Sequence, residues 1–202
     1  MQQIALPLKA RGQGPASIVV GDGNVHVADA LAASDRWPFR TAVLTGPLRS
    51  GKSLFARWFA QSGQGEAIDD AQEWDEADLF HRWNRAQEQG TSLLIIGGVP
   101  PWRITLPDLA SRLGAALQLD IQEPDDDMAR DLIDSLAAER GLALGTGAAD
   151  YLAARCNRSY IGLEKLVETI DRLSLERKAP PTLGVWRSAL EAVNGPEEPR
   201  LL

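Results

Sequence analysis

The octapeptide GPLRSGKS, Gly46 to Ser53, constrains this chain more than any other stretch of it. It fits G-x-x-x-x-G-K-S at every position, and its flanks are the ones that pattern needs. TAVLTG (Thr41 to Gly46) reads as a buried strand ending at glycine. GKSLFARWFAQSG (Gly51 to Gly63) reads as a helix, with Leu54, Phe55, Trp58 and Phe59 at helical spacing. The residue types are those an anion requires. Gly46 and Gly51 let the backbone curl so that successive N–H groups face one charge. The helix that starts near Gly51 aims its positive end at the same place. Lys52 is suited to neutralise outer phosphates, and Ser53 to ligate Mg²⁺. With Pro47, Leu48, Arg49 and Ser50 they form a candidate site for the phosphates of ADP or ATP.

A phosphate loop of this kind works with carboxylates at the end of a neighbouring strand. The short strand EAID runs into Asp69 and Asp70. The first would orient Mg²⁺ and the second would polarise water. A solvated turn accounts for the same residues, because the strand before them, GEA, is poorly apolar.

The rest of the chain alternates in the same way. VHVADALAAS reads as a helix broken by WPFR at Trp37; Asp75 to Gln89 is helical, SLLII is a buried strand, LPDLASRLGAA a short helix and LQLDI a strand. Strands alternating with helices argue for an α/β fold on a parallel sheet. After Pro124 the pattern becomes wholly helical. DDDMARDLIDSLAAERG has Asp125 or Asp126 as N-cap and Gly141 at its end; TGAADYLAARC, YIGLEKLVETIDRLSLERK and LGVWRSALEAV follow. The boundaries expected are a tail over 1–16, an α/β domain over 17–123, a small all-helical lid over 124–193 and a C-terminal tail over 194–202.

Charge and composition exclude several functions. The chain of 202 residues has a formal net charge of −7, so it lacks the overall positive field on which nonspecific nucleic-acid binding draws; a local basic patch stays open, but DNA is not the default partner. The lone cysteine, Cys156, can form no internal disulfide and suits a reducing, cytoplasmic compartment. No apolar run approaches the ~18 residues of a membrane span. His26 and His81 have no metal-ligand spacing, and the tryptophans, among them Trp58, Trp83 and Trp186, stand at apolar helix positions as packing groups. Arg155 and Arg158 fall in a turn between helices, where solvation is the simplest fate. The N-terminus carries QIALPL, in which Ile4, Leu6 and Leu8 alternate across Ala5 and Pro7 after Gln3, before the linker-like KARGQGPA. These apolar residues either cover the chain's own sheet as an edge strand or dock in a groove of another protein.

The order SIVVGDGN, phosphate loop, IDDAQ, LPDLASRL and a four-helix lid resembles the AAA+ domain of DnaA, the bacterial replication initiator. The likeness covers roughly residues 17–193. With no helix-turn-helix domain following and a Q-x-x-L-P-L peptide in front, the chain resembles the Hda group of DnaA-related regulators. That resemblance implies a protein held on the polymerase sliding clamp by Gln3, Ile4, Leu6, Pro7 and Leu8, which promotes hydrolysis of DnaA-bound ATP and so prevents re-initiation. It implies no direct sequence-specific DNA binding and allows a homo-oligomer. It places Val19, Val20, Gly21 and Asn24 near the adenine, makes Asp69 and Asp70 the Walker B acids, and makes Arg112 an arginine finger offered in trans. From the residues alone, Arg112 is a surface arginine on a short helix.

The chain departs from that pattern in three places. Only a short stretch separates Ser53 from Asp69, where the family fits another strand and helix. LLIIGGVPP ends in Gly97 and Gly98, where the family presents a polar side chain to the γ-phosphate. Glu164 aligns with the lid position of a sensor arginine. These departures lead us to expect a nucleotide binder, with ADP favoured over ATP and little hydrolysis of its own. An autonomous P-loop ATPase or phosphotransferase, and a nucleotide-free structural clamp-binding module, are the competing readings.

Overall fold

The computed structural model describes residues 18–98 and 102–195. The candidate clamp peptide, Gln3 to Leu8, lies outside them. Two compact units divide between Gln122 and Glu123.

The first unit is built on four parallel strands in the order β2-β3-β1-β4. They are β1 (Thr41–Thr45), β2 (Glu66–Ile68), β3 (Leu93–Ile96) and β4 (Leu117–Asp120). Helices α1 (Val25–Ala32), α2 (Lys52–Gln61), α3 (Glu76–Gln89) and α4 (Pro107–Gly114) precede or connect them. The central strands β1 and β3 are continuous apolar runs because both of their faces are covered. Val43, Leu93 and Ile95 share a core with Leu79 and Trp83 of α3 and Leu109 and Leu113 of α4. α2 packs on β2 and β3, burying Phe55 and Phe59, with Trp37 stacked on Phe59 at 5.2 Å.

α2 runs almost directly into β2, so β2 forms one edge of the sheet. That explains its weak apolar pattern: Glu66 and Ala67 are half-buried and only Ile68 is buried. The chain goes to β2 and β3 on one side of β1 and to β4 on the other. The strand order therefore reverses at β1, and the carboxyl ends of the strands there are where such a switch point places a ligand site.

The second unit holds α5 (Asp126–Glu139), α6 (Ala148–Ala153), α7 (Tyr160–Arg177) and α8 (Leu183–Asn194). Ile133, Leu152, Leu163, Leu166, Val167, Ile170, Val185 and Trp186 are among the residues of its own core. The Asp125 carboxylate caps α5 by accepting from the Met128 N–H at 2.7 Å, and Ser159 Oγ caps α7 by accepting from the Gly162 N–H at 3.1 Å. α6 is shorter than the sequence pattern predicts. Gly147, at φ +76°, holds the turn before it, and the Arg155 N–H tightens onto the Leu152 carbonyl after it.

Other expectations are corrected here. Arg155 and Arg158 are not merely solvated: the Arg155 guanidinium lies 4.2 Å from the Tyr151 ring centroid, and Arg158 pairs with Asp126 at 2.9 Å. Trp37 and Trp102 lie outside helices, and Trp74 is 44% exposed, so packing in helices does not account for all the tryptophans.

Candidate functional site at the strand ends

β1 hands the chain to Gly46, whose φ of +145° and surroundings leave no room for a side chain. A Cβ there would lie 2.9 Å from Ile121 Cβ and 3.0 Å from the Ile121 carbonyl oxygen. The loop closes at Gly51, φ +88°, which begins α2 without a side-chain cap. The first N–H groups of a helix have no acceptor inside it, so they face the loop. Lys52 Nζ donates to the carbonyls of Gly46 at 2.9 Å and Pro47 at 2.7 Å, which holds the ammonium across the loop. Ser50 Oγ is buried and has no hydrogen-bond partner among the described residues. Leu48 is exposed, and Ser53 opens α2 on its exposed side.

The charges around Lys52 come from two other strand ends. Burial lowers its pKa, and the carboxylates of Asp69, Asp70 and Asp120 act against that shift. Asp69 and Asp70 follow β2, as the sequence predicts. Asp70 sits at φ +48°, its N–H donating to Asp69 Oδ1 at 3.1 Å and its own Oδ1 accepting from Gln72 Nε2 at 3.4 Å. Asp120, the last residue of β4, was not singled out in the sequence. Its carboxylate accepts from Thr45 Oγ1 at 3.1 Å and from Gln122 Nε2 at 2.6 Å. The available signal was its place as the polar residue ending LQLDI, equivalent to that of Asp69 after β2.

The Val19 to Asn24 segment is built from inside. Asn24, 1% exposed, accepts from the Gly21 N–H at 3.0 Å and donates through Nδ2 to the Val19 carbonyl at 3.0 Å. Both ends of its amide are engaged in shaping this turn. Val20 is half-buried, and the Gly23 carbonyl accepts from the Gln122 N–H at 2.9 Å, which ties the segment to the end of β4.

At the end of β3 the Gly97 N–H donates to the Leu44 carbonyl at 2.9 Å. A Cβ on Gly97 would lie 2.8 Å from the Trp102 ring, so the indole holds the space a polar side chain would need. Arg112, on α4, is half-buried. Its guanidinium lies 4.4 Å from the Trp83 ring centroid and 5.0 Å from that of Phe80, both on α3. The start of α4 is also fixed to α3. Glu76 accepts from the Thr105 N–H at 2.9 Å, Thr105 Oγ1 at 2.8 Å and the Leu106 N–H at 2.5 Å, and the hydrogen bond from the Thr105 N–H is the main reason its pKa is lowered. In the helical unit, Glu164 is half-buried and contributes to raising the Glu139 pKa, after burial itself.

These residues fit a nucleotide phosphate: a side-chain-free turn, a held ammonium, a helix start and a buried hydroxyl with no partner. Mg²⁺ in such a site takes one or two protein ligands and completes its shell with phosphate and water. Ser53 and Asp69 are the residues suited to hold it; no group of three His, Cys, Asp or Glu side chains that could hold a metal gathers anywhere among the described residues.

No protein-family profile matches the chain. Solved structures do. Domain III of the Thermotoga maritima replication initiation protein DnaA superposes with a TM-score of 0.71 at 14% identity, over 88% of this chain and 95% of that one. AMPPCP-bound DnaA from Aquifex aeolicus gives 0.61 at 16% identity, over 84% and 68%. The fold is that of a DnaA-type AAA+ module. Thermotoga maritima RuvB, a Holliday junction branch migration motor, has the same frame at a TM-score of 0.59 and 16% identity, over 87% of this chain and 70% of that one. Among the described residues, a sheet of four parallel strands carries this shared frame.

Proposed function

We propose that the chain is a nucleotide-binding regulator of the Hda kind: a clamp-tethered adaptor that promotes hydrolysis of ATP bound to DnaA. The observation that carries this reading is the contrast between two strand ends. The phosphate loop after β1 has Gly46 and Gly51 at positive φ and Lys52 held across it, with Asp69 and Asp70 acting on Lys52. The end of β3 has a glycine beneath Trp102 where hydrolysis needs a polar group. Such a site holds a nucleotide and does little with it. Three carboxylates around one ammonium, Asp69, Asp70 and Asp120, favour the less charged diphosphate. AMPPCP is the ligand of the Aquifex aeolicus neighbour, which supports a nucleotide here.

In this reading, Arg112 supplies the missing charge to a neighbouring DnaA, and a finger in trans is worth ~10³–10⁵ in rate. Gln3, Ile4, Leu6, Pro7 and Leu8 attach the chain to the clamp, which places its action in the cytoplasm with the replication machinery. The decisive assay measures hydrolysis of DnaA-bound ATP with chain and DNA-loaded clamp together. Stimulation should appear only with both and be lost with Arg112→Ala; undiminished stimulation by that variant removes the finger assignment. The second reading, an autonomous ATPase, is favoured by the two acids whose charge acts on Lys52. It requires brisk single-turnover hydrolysis by the isolated chain, whereas the regulator hydrolyses near background.

A further inference from the structure

Among the described residues, the edge strand β2 leaves one backbone pair without a ladder partner. The Glu66 N–H donates to the Ser92 carbonyl at 2.9 Å, and Glu66, Ala67 and Ile68 pair in register with Leu93, Leu94 and Ile95. In a parallel ladder, alternate residues turn both main-chain groups to the same side. Glu66 and Ile68 therefore face β3, and the N–H and C=O of Ala67 face outward. Beside them runs a groove of about 320 Å³ between β2 and α3. Ala67 and Ile68 form one wall, Trp74 closes one end, and His81, Arg82 and Arg85 line the helix side.

Charge is divided along this groove. Arg82 is already bridged to Glu66 at 2.7 Å. Asp78, nearer Trp74, also lines it. Arg85, at the far end, is exposed, and no acid lies within ion-pair reach of it among the described residues. An exposed edge with an outward N–H and C=O, an exposed aromatic and an unpaired arginine describe a site for strand addition. We propose that this groove binds an extended peptide segment of a partner protein, hydrogen-bonded to Ala67 and carrying an acidic side chain against Arg85. Asp78 disfavours a second acid at the Trp74 end, so the segment is acidic at one end and neutral or basic at the other.

The proposal does not depend on nucleotide or on DnaA. Its test uses the full chain and two capped hexapeptides, acetyl-Glu-Val-Thr-Val-Thr-Lys-amide and the same peptide with Lys in place of Glu. Binding is followed by calorimetry and by amide exchange at Ala67. The acidic peptide should bind and slow Ala67 exchange at least tenfold, and the lysine peptide should bind at least tenfold more weakly. Arg85→Glu, at an exposed position, should reverse that preference, and Ala67→Pro, which removes only the outward N–H, should abolish binding of both. The proposal is overturned by absence of binding of the acidic peptide, by equal affinity for the two peptides, by an unchanged preference in Arg85→Glu, or by binding that leaves Ala67 exchange unaltered.

Discussion

Gly46 and Gly97 are held as glycines by what stands against their α-carbons, and the two contacts make different predictions. At Gly46 the obstacle is the backbone and Cβ of Ile121, which cannot step aside, and φ is +145°. Gly46→Ala should therefore destabilise by roughly 2–4 kcal/mol from strain and overpacking together, measured by urea unfolding. At Gly97 the obstacle is the Trp102 side chain, 2.8 Å from where a methyl group would stand. Gly97→Ala should cost about 1–3 kcal/mol in the natural chain, and clearly less in a Trp102→Ala background, because the two sites share one contact. Equal penalties in both backgrounds would show that the indole does not occupy that space. Lys52 tests the ligand rather than the fold. ADP at a hundredfold excess over its Kd should stabilise the chain by about 2.7 kcal/mol, and Lys52→Ala should abolish most of the corresponding rise in melting temperature.

At the scale of elements, α4 is held to α3 at both ends: Glu76 binds the backbone at its start, and Arg112 lies against Phe80 and Trp83 near its finish. The Glu76 carboxylate has a lowered pKa when folded, so its contribution is present above the unfolded value of about 4.5 and is lost as pH falls through the folded one. Natural protein should lose thermal stability more steeply than Glu76→Gln as pH is lowered from 5 to 3, measured by parallel melting curves; identical slopes would remove the carboxylate from that role. None of these long-range pairs was legible in the sequence. The phosphate loop was, because its glycines, lysine and flanking elements lie within one continuous stretch. Asp69 and Asp70 were found because they follow a strand directly. Trp102 over Gly97, Glu76 on Thr105, and Arg112 on Trp83 each join residues whose meeting depends on how α3 and α4 pack against the sheet. The weak apolar pattern of GEA kept a solvated turn open beside the strand reading, because an edge strand with a half-buried Glu66 needs little hydrophobicity.

At the scale of the whole molecule, the proposed function joins a nucleotide-binding AAA+ module to an eight-residue linker, Lys9 to Ala16, and a peptide anchor. In that proposal the anchor acts by raising the local concentration of Arg112 around DnaA at the clamp, not by making contacts of its own with DnaA. Changing Gln3, Leu6 and Leu8 together to alanine should abolish clamp binding, measured by surface plasmon resonance on immobilised clamp, while the melting temperature stays within about a degree. A large fall in melting temperature would instead assign these residues to the chain's own sheet. Lengthening the linker distinguishes tethering from docking. Effective concentration falls roughly as the −3/2 power of linker length, so adding sixteen Gly-Ser residues should reduce clamp-dependent stimulation about fivefold and leave clamp affinity unchanged. If the module had to dock rigidly on the clamp to work, the same insertion would abolish stimulation altogether.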